Sequence, residues 1–236
     1  MIARYELLRT FRNRRFVFLS VVPPLALFYT IASATHNISI SGTPGRLYFM
    51  SSMAAYGAMI AVMSGAARIV ADRTVGWTRQ LQTMPVPIGR YFASKGLGSY
   101  LLAAVSLGVL YASGLGLGVH LKASQWLTMT GLLLVGLLPF AFLSLVLGHL
   151  LTVDTASPVL GFGTSFLALV GGAFFPIASS GAAQRIVELI PSYWLVQAGR
   201  SAVNQGGWQV EGWLVLAVWS YVLAACSIFI YRRHAT

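Results

Sequence analysis

Residues 126–151 read WLTMTGLLLVGLLPFAFLSLVLGHLL, a run without a single Asp, Glu, Lys or Arg. About 20 apolar residues in a helix cross the hydrocarbon core of a bilayer, and a longer run crosses with tilt. Five further runs lie on either side of it, at about 16–34, 48–70, 97–119, 156–178 and 211–231. Together they leave only short connections in a chain of 236 residues that is 57% hydrophobic and 9% charged, against about 25% charged in an average soluble domain. Such a chain has too few polar side chains to cover a water-facing surface. The expected fold is an all-α integral membrane protein, one transmembrane domain over 1–236 with six transmembrane helices and no separate soluble catalytic domain.

The charge pattern orients the spans. A net charge of +11 in a soluble protein would point to nucleic acid. Here the basic residues cluster at span ends, as the positive-inside rule requires, and no nucleic-acid partner is expected. Arg4, Arg9, Arg12, Arg14, Arg15, Arg68, Arg73, Arg79, Arg90, Lys95, Arg232 and Arg233 fall on one side; Arg46, Lys122, Arg185 and Arg200 fall on the other. That bias puts both termini in the cytoplasm. Residues 1–15 suit a helix lying in the cytoplasmic interface. A competing reading makes the N-terminus a cleaved signal peptide ending near Ala32-Ser33-Ala34, which would leave five spans and an outside N-terminus. Tyr48, Trp126, Trp213 and Tyr231 have the positions of an interfacial aromatic belt. Cys226, the one cysteine, is read as packing.

Two connections are neither apolar enough to span nor plainly solvated. Segment 71–96 (ADRTVGWTRQLQTMPVPIGRYFASKG) is basic, with a helix-compatible stretch near 72–84 stopped by Pro85 and Pro87. Segment 179–210 divides at Pro191 into two short helical patterns, about 182–190 and 192–203, which can dip into the outer leaflet if they pack on protein.

Several chemistries find no support. There is no phosphate loop of the form G-x-x-x-x-G-K-[ST], so ATP hydrolysis is not expected of this chain. Gly114, Gly116 and Gly118 lack a strand–helix context for a dinucleotide loop, and these glycines, with Gly161, Gly163, Gly171 and Gly172, read as sites of close helix packing. His36, His120, His149 and His234 are scattered and support no metal site. No nucleophile motif points to a serine hydrolase. Glu6, Asp72, Asp154, Glu188 and Glu211 fall in connections or at span ends, so ion coupling through a mid-membrane carboxylate is not expected. The energy source is then a partner protein.

The two unusual connections also carry a family likeness. Asp72-Arg73, Gly76-Trp77, Arg79-Gln80-Leu81, Thr83-Met84-Pro85 and Lys95 resemble the cytoplasmic signature of ABC-2 type permeases, the membrane subunits of type 2 ABC exporters. The family's acidic-Arg pair is more often Glu-Arg, so Asp72 departs conservatively. Phe175-Pro176, Pro191, Tyr193-Trp194 and Arg200 are similar to the family's outer pattern. The Gly-Trp-x-Arg-Gln-Leu form looks most like the small half-transporter permeases of bacterial drug and antibiotic exporters.

The resemblance implies a six-helix permease in a bacterial inner or plasma membrane. It implies pairing with a second copy, identical or not, and docking of two copies of a separate ATPase subunit that holds ATP and Mg. No cofactor is implied in this chain itself. Multidrug efflux of a hydrophobic or amphiphilic molecule is the implied function, and a lipid or polysaccharide precursor is the alternative cargo. Asp72, Arg73, Gly76, Trp77, Arg79, Gln80 and Leu81 are then the ATPase-coupling residues, or simply part of a loop made basic by topology. Met53, Gly57, Ile60 and Ser64 in the second span, with Ser165 and Ala168 in the fifth, recur at helical spacing and either line a substrate path or pack helices. Glu188, Pro191, Tyr193, Trp194 and Arg200 form an outer re-entrant element in which Glu188 pairs with Arg185 or Arg200 or serves as a polar gate. A non-transporting membrane sensor or assembly protein, and an ion-coupled carrier, are the readings from other classes.

Overall fold

A computed structural model describes residues 14–35, 38–40, 42–74, 88–175, 182–204 and 207–235. The interfacial helix expected over 1–15 and the residues Gly76, Trp77, Arg79, Gln80 and Leu81 lie outside the described residues, apart from the start of the first helix.

Helix α1 covers Arg14–Ala34. A short hairpin follows, β1 (Ser39–Ile40) antiparallel to β2 (Thr43–Pro44), and leads directly into α2 (Gly45–Thr74). Then come α3 (Ile88–Gly116), α4 (Ala123–Gly136), α5 (Leu138–Leu150) and α6 (Val153–Val170). The short helices α7 (Ala182–Glu188) and α8 (Pro191–Asn204) precede α9 (Val210–Ala235). The protein is an all-α membrane protein: among the described residues five helical stretches are long and apolar enough to cross a bilayer, and Ser20–Ala34 is a shorter apolar helix.

Helix α2 is the axis of the bundle. It touches α1, α3, α5, α6 and α8, and 78% of its most apolar window is buried, against 11% for α9. Its sequence explains this: Ala, Gly, Ser and Met dominate it, and small side chains let neighbouring backbones approach closely. Gly57 marks the tightest point with α1 and α3, because a Cβ there would lie 2.6 Å from Ser106 Oγ and 3.2 Å from Pro24 Cγ. The same place solves a backbone problem. Pro24 has no N–H for the carbonyl of Ser20 one turn earlier, and Ser106 Oγ donates to that carbonyl at 3.1 Å. The first helix is thereby stitched into the core, with Phe28 fully buried.

The span expected at 126–151 is divided at Leu137. Pro139 sits in the first turn of α5 and cannot donate to the carbonyl of Val135, which interrupts the ladder of helical hydrogen bonds. The two halves then take different partners: α8 packs on α4 and α9 packs on α5. Leu195 of α8 reaches Gly136 at the junction itself. A short helix thus covers the half-span that α9 does not.

Other expectations change in detail. The second span runs on to Thr74 rather than stopping near 70, so Asp72 and Arg73 belong to its last turn. Tyr48 is 3% exposed and is no lipid-facing belt residue; it is covered by Arg200. Gly114 packs on Met50, but Gly116, Gly161 and Gly163 face open space, so close packing does not explain them in the single chain. Cys226 is exposed on the outer surface of α9 rather than packed.

Candidate functional site

Two polar sites stand at opposite ends of α2. The first is where α2 ends and α3 begins, flanking residues 75–87. Asp72 Oδ2 accepts from Lys95 Nζ at 2.5 Å, and the two side chains are 1% and 4% exposed. One helical turn up, Arg68 Nη2 donates to Ser99 Oγ at 2.6 Å, and Ser99 Oγ donates to the carbonyl of Lys95 at 3.1 Å. Arg73 turns the other way. Its Nη1 donates to the carbonyls of Gly148, His149 and Leu151 at 3.2, 2.6 and 3.3 Å, at the last turn of α5. A cation there meets the orphan carbonyls and the negative end of the helix dipole. Directly above, Ile69 packs where a Cβ on Gly148 would sit, at 2.8 Å.

Three helix ends, those of α2, α3 and α5, are therefore bound into one node by charged groups. Desolvated charges are stable only when paired and hydrogen-bonded, so the node is rigid or it is broken; it has little room to deform. Asp72 and Arg73 were legible as candidates from the sequence. Lys95 figures in the sequence only as a basic residue of the cytoplasmic side and a downstream motif residue, and its pairing with Asp72 is a tertiary contact across 23 positions.

The second site is built by α7, α8 and the residues before α9. Pro191 occupies the first position of α8, where its missing N–H is harmless. Trp194 Nε1 donates to the carbonyl of Glu188 at 2.7 Å and ties α8 back to the end of α7. Tyr193 and Trp194 meet edge to face, with ring centroids 5.3 Å apart. Arg200 reaches across to α2: Nη2 donates to Ser52 Oγ and to the carbonyl of Gly172, both at 2.9 Å, and the guanidinium lies 3.8 Å above the ring centre of Tyr48. Gly199 allows this approach, because a Cβ there would collide with Ser51 Cβ.

Glu188 accepts from Gln184 Nε2 at 2.8 Å, and among the described residues it forms no ion pair with Arg185 or Arg200. Instead Glu188 and Arg200 face a common cavity of about 260 Å³. The sequence suggested neither the anchoring of Arg200 on Tyr48 and Ser52 nor the glutamines that line this cavity.

The residues considered for a substrate path divide into two groups. Met53 and Ala168 are fully buried, and Gly57 is enclosed by α1 and α3. Ile60, Ser64 and Ser165 are half-buried, with Ser64 Oγ donating to the carbonyl of Ala61 at 2.7 Å. Ser165 Oγ lies 3.0 Å from the hydroxyl of Tyr56, which joins α6 to α2.

The fold and both sites fit one kind of known protein. Residues 20–231 match the family model described as ABC-2 family transporter protein. The chain is also similar to YvfS of Bacillus subtilis (strain 168), a protein named as a transport permease, at 25% identity over 232 residues that cover 97% of this chain and 94% of the relative. A match across nearly the whole described bundle makes the chain a member of the ABC-2 family of transporter proteins, and with it a transmembrane permease of an ABC transporter.

Proposed function

We propose that this chain is the membrane half of an ATP-driven exporter that moves a hydrophobic or amphiphilic compound, of drug or antibiotic type, out of a bacterial cell. It works with a second permease copy and with two copies of a separate ATPase subunit that binds ATP and Mg. Both termini lie in the cytoplasm, the side favoured by the basic residues. The first helix makes the sixth crossing.

The observation that carries this reading is the charged node around Asp72, Lys95 and Arg73. It stands at both ends of residues 75–87, the segment whose Gly76, Trp77, Arg79, Gln80 and Leu81 would meet the ATPase. Any displacement of that segment passes through a node that resists local deformation and is fastened to α2, α3 and α5. The chain's own residues thus transmit motion, and the phosphate chemistry is supplied by the partner. Within the membrane, Ile60, Ser64 and Ser165 are the path residues accessible enough to meet cargo.

The test is a pull-down of the solubilised chain with candidate ATPase subunits, followed by ATP hydrolysis in lipid with and without amphiphilic drugs. A stable complex with drug-stimulated hydrolysis is expected, and Trp77→Ala with Arg79→Ala should uncouple it. A complex that forms and responds normally with both substitutions would refute the coupling role. A chain that binds no ATPase would refute the exporter reading.

A further inference from the structure

We infer that the cavity between α7, α8 and residues 207–209 binds the uncharged, hydroxyl-rich head of an amphiphile, a glycosyl-type group. That such an amphiphile is cargo rests on the export reading above; the binding itself is a property of this chain alone.

Size restricts the ligand first. At about 260 Å³ the cavity falls below the about 300–1,000 Å³ of sites that enclose whole drug-sized molecules. One sugar ring fits such a space, and an apolar tail must lie elsewhere.

Chemistry restricts it further. Gln184, Gln197, Ser201 and Gln209 line the cavity, and each amide offers donors and an acceptor while the hydroxyl offers both. Gln197 and Ser201 are four residues apart on one face of α8, both half-buried, and neither has a hydrogen-bond partner among the described residues. Neither side chain is spent on a bond to another described residue, so both face the cavity free to meet a ligand that donates and accepts.

The charges favour a neutral ligand. Glu188 and Arg200 bring one charge of each sign, so the lining has no net charge to attract an ion. Arg200 is already committed to Ser52, Gly172 and the face of Tyr48, which leaves it a donor rather than a seat for an anion. Glu188 keeps acceptor capacity beyond its bond from Gln184, and a ligand hydroxyl satisfies it. Tyr193 adds an aromatic wall, against which the C–H face of a sugar ring packs.

The experiment uses the full chain in amphipol, free of lipid and of glycoside detergent, titrated with hexyl β-D-glucoside, hexylphosphocholine and hexanol. Saturable binding of the glucoside alone is expected, with displacement by free glucose separating a soluble sugar from a membrane-anchored one. Gln197→Leu should weaken glucoside binding about tenfold without changing thermal stability, and Ser201→Ala provides a second, milder variant. Equal binding of hexylphosphocholine or hexanol, or an unchanged affinity in Gln197→Leu, would overturn the inference. Drug-stimulated ATP hydrolysis with no glucoside binding refutes this inference and leaves the export reading standing. Glucoside binding by a chain that engages no ATPase does the reverse.

Discussion

Replacing Lys95 by Met tests the node at the end of α2. Lys95 and Met are similar in length and volume, so the substitution removes charge without opening a cavity. What remains is the Asp72 carboxylate, 1% exposed, deprived of a cation 2.5 Å away. Removing one partner of a buried ion pair costs about 3–5 kcal/mol, most of it the desolvation of the charge left behind. For a chain of this length about 1 kcal/mol shifts the melting temperature by about 2–4 °C, which gives a drop of about 6–20 °C. The measurement is thermal unfolding of the purified chain followed by tryptophan fluorescence. Asp72→Leu combined with Lys95→Met removes both charges, and the pair of apolar side chains should recover most of the loss. A double variant that melts as low as the two single losses added together would refute the argument, because independent effects add and a broken pair does not.

Two other substitutions report on the packing of α2. Arg200→Lys keeps the charge but loses the planar fork that reaches Ser52 Oγ and the Gly172 carbonyl while lying over Tyr48; a loss of about 1–2 kcal/mol is expected in the same melting assay, and no loss would mean that stacking and fork geometry are irrelevant there. Gly57→Ala should destabilise by about 1–3 kcal/mol, since the new Cβ must push Ser106 Oγ away from the Ser20 carbonyl. The matched control is Gly131→Ala, where nothing lies within 4 Å and the usual helix preference for Ala applies. Equal effects at Gly57 and Gly131 would remove the packing explanation.

Both polar sites meet the same helix. Asp72 and Arg73 close one end of α2, and Tyr48 and Ser52 receive Arg200 near the other. From Ser52 to Asp72 an unbroken helix advances about 30 Å at about 1.5 Å per residue, roughly the thickness of a membrane. No proline interrupts it, whereas α1 contains Pro23 and Pro24, α5 contains Pro139 and α6 contains Pro158. The node beside residues 75–87 and the anchor of Arg200 beside the outer cavity are therefore joined by one continuous helix.

The same physics decides what could be read in advance. Lipid excludes charge over about 20 residues at a stretch, so the existence of the long apolar helices was legible, while their ends were less so: α3 begins at Ile88 rather than near 97, and α6 ends at Val170 rather than near 178. Pro191 divides the outer segment because a proline is favoured at a helix start, and of the residues that carry the resemblance Asp72, Arg73, Lys95, Trp194 and Arg200 hold structural positions, while Gly76, Trp77, Arg79, Gln80 and Leu81 lie outside the described residues. The sequence failed wherever a residue's role depends on a partner far along the chain. Arg200 was counted with the charges of an outer connection, yet Tyr48, Ser52 and Gly172 draw it into the protein. Lys95 was counted toward orientation, yet it neutralises Asp72. Tyr48 was given to the lipid interface on its position alone, and Gly161 and Gly163 were given to packing on their size alone. In each case periodicity and composition fix the helix that a residue rides on, while its side chain answers to whichever opposite charge, orphan carbonyl or aromatic face the bundle brings within reach.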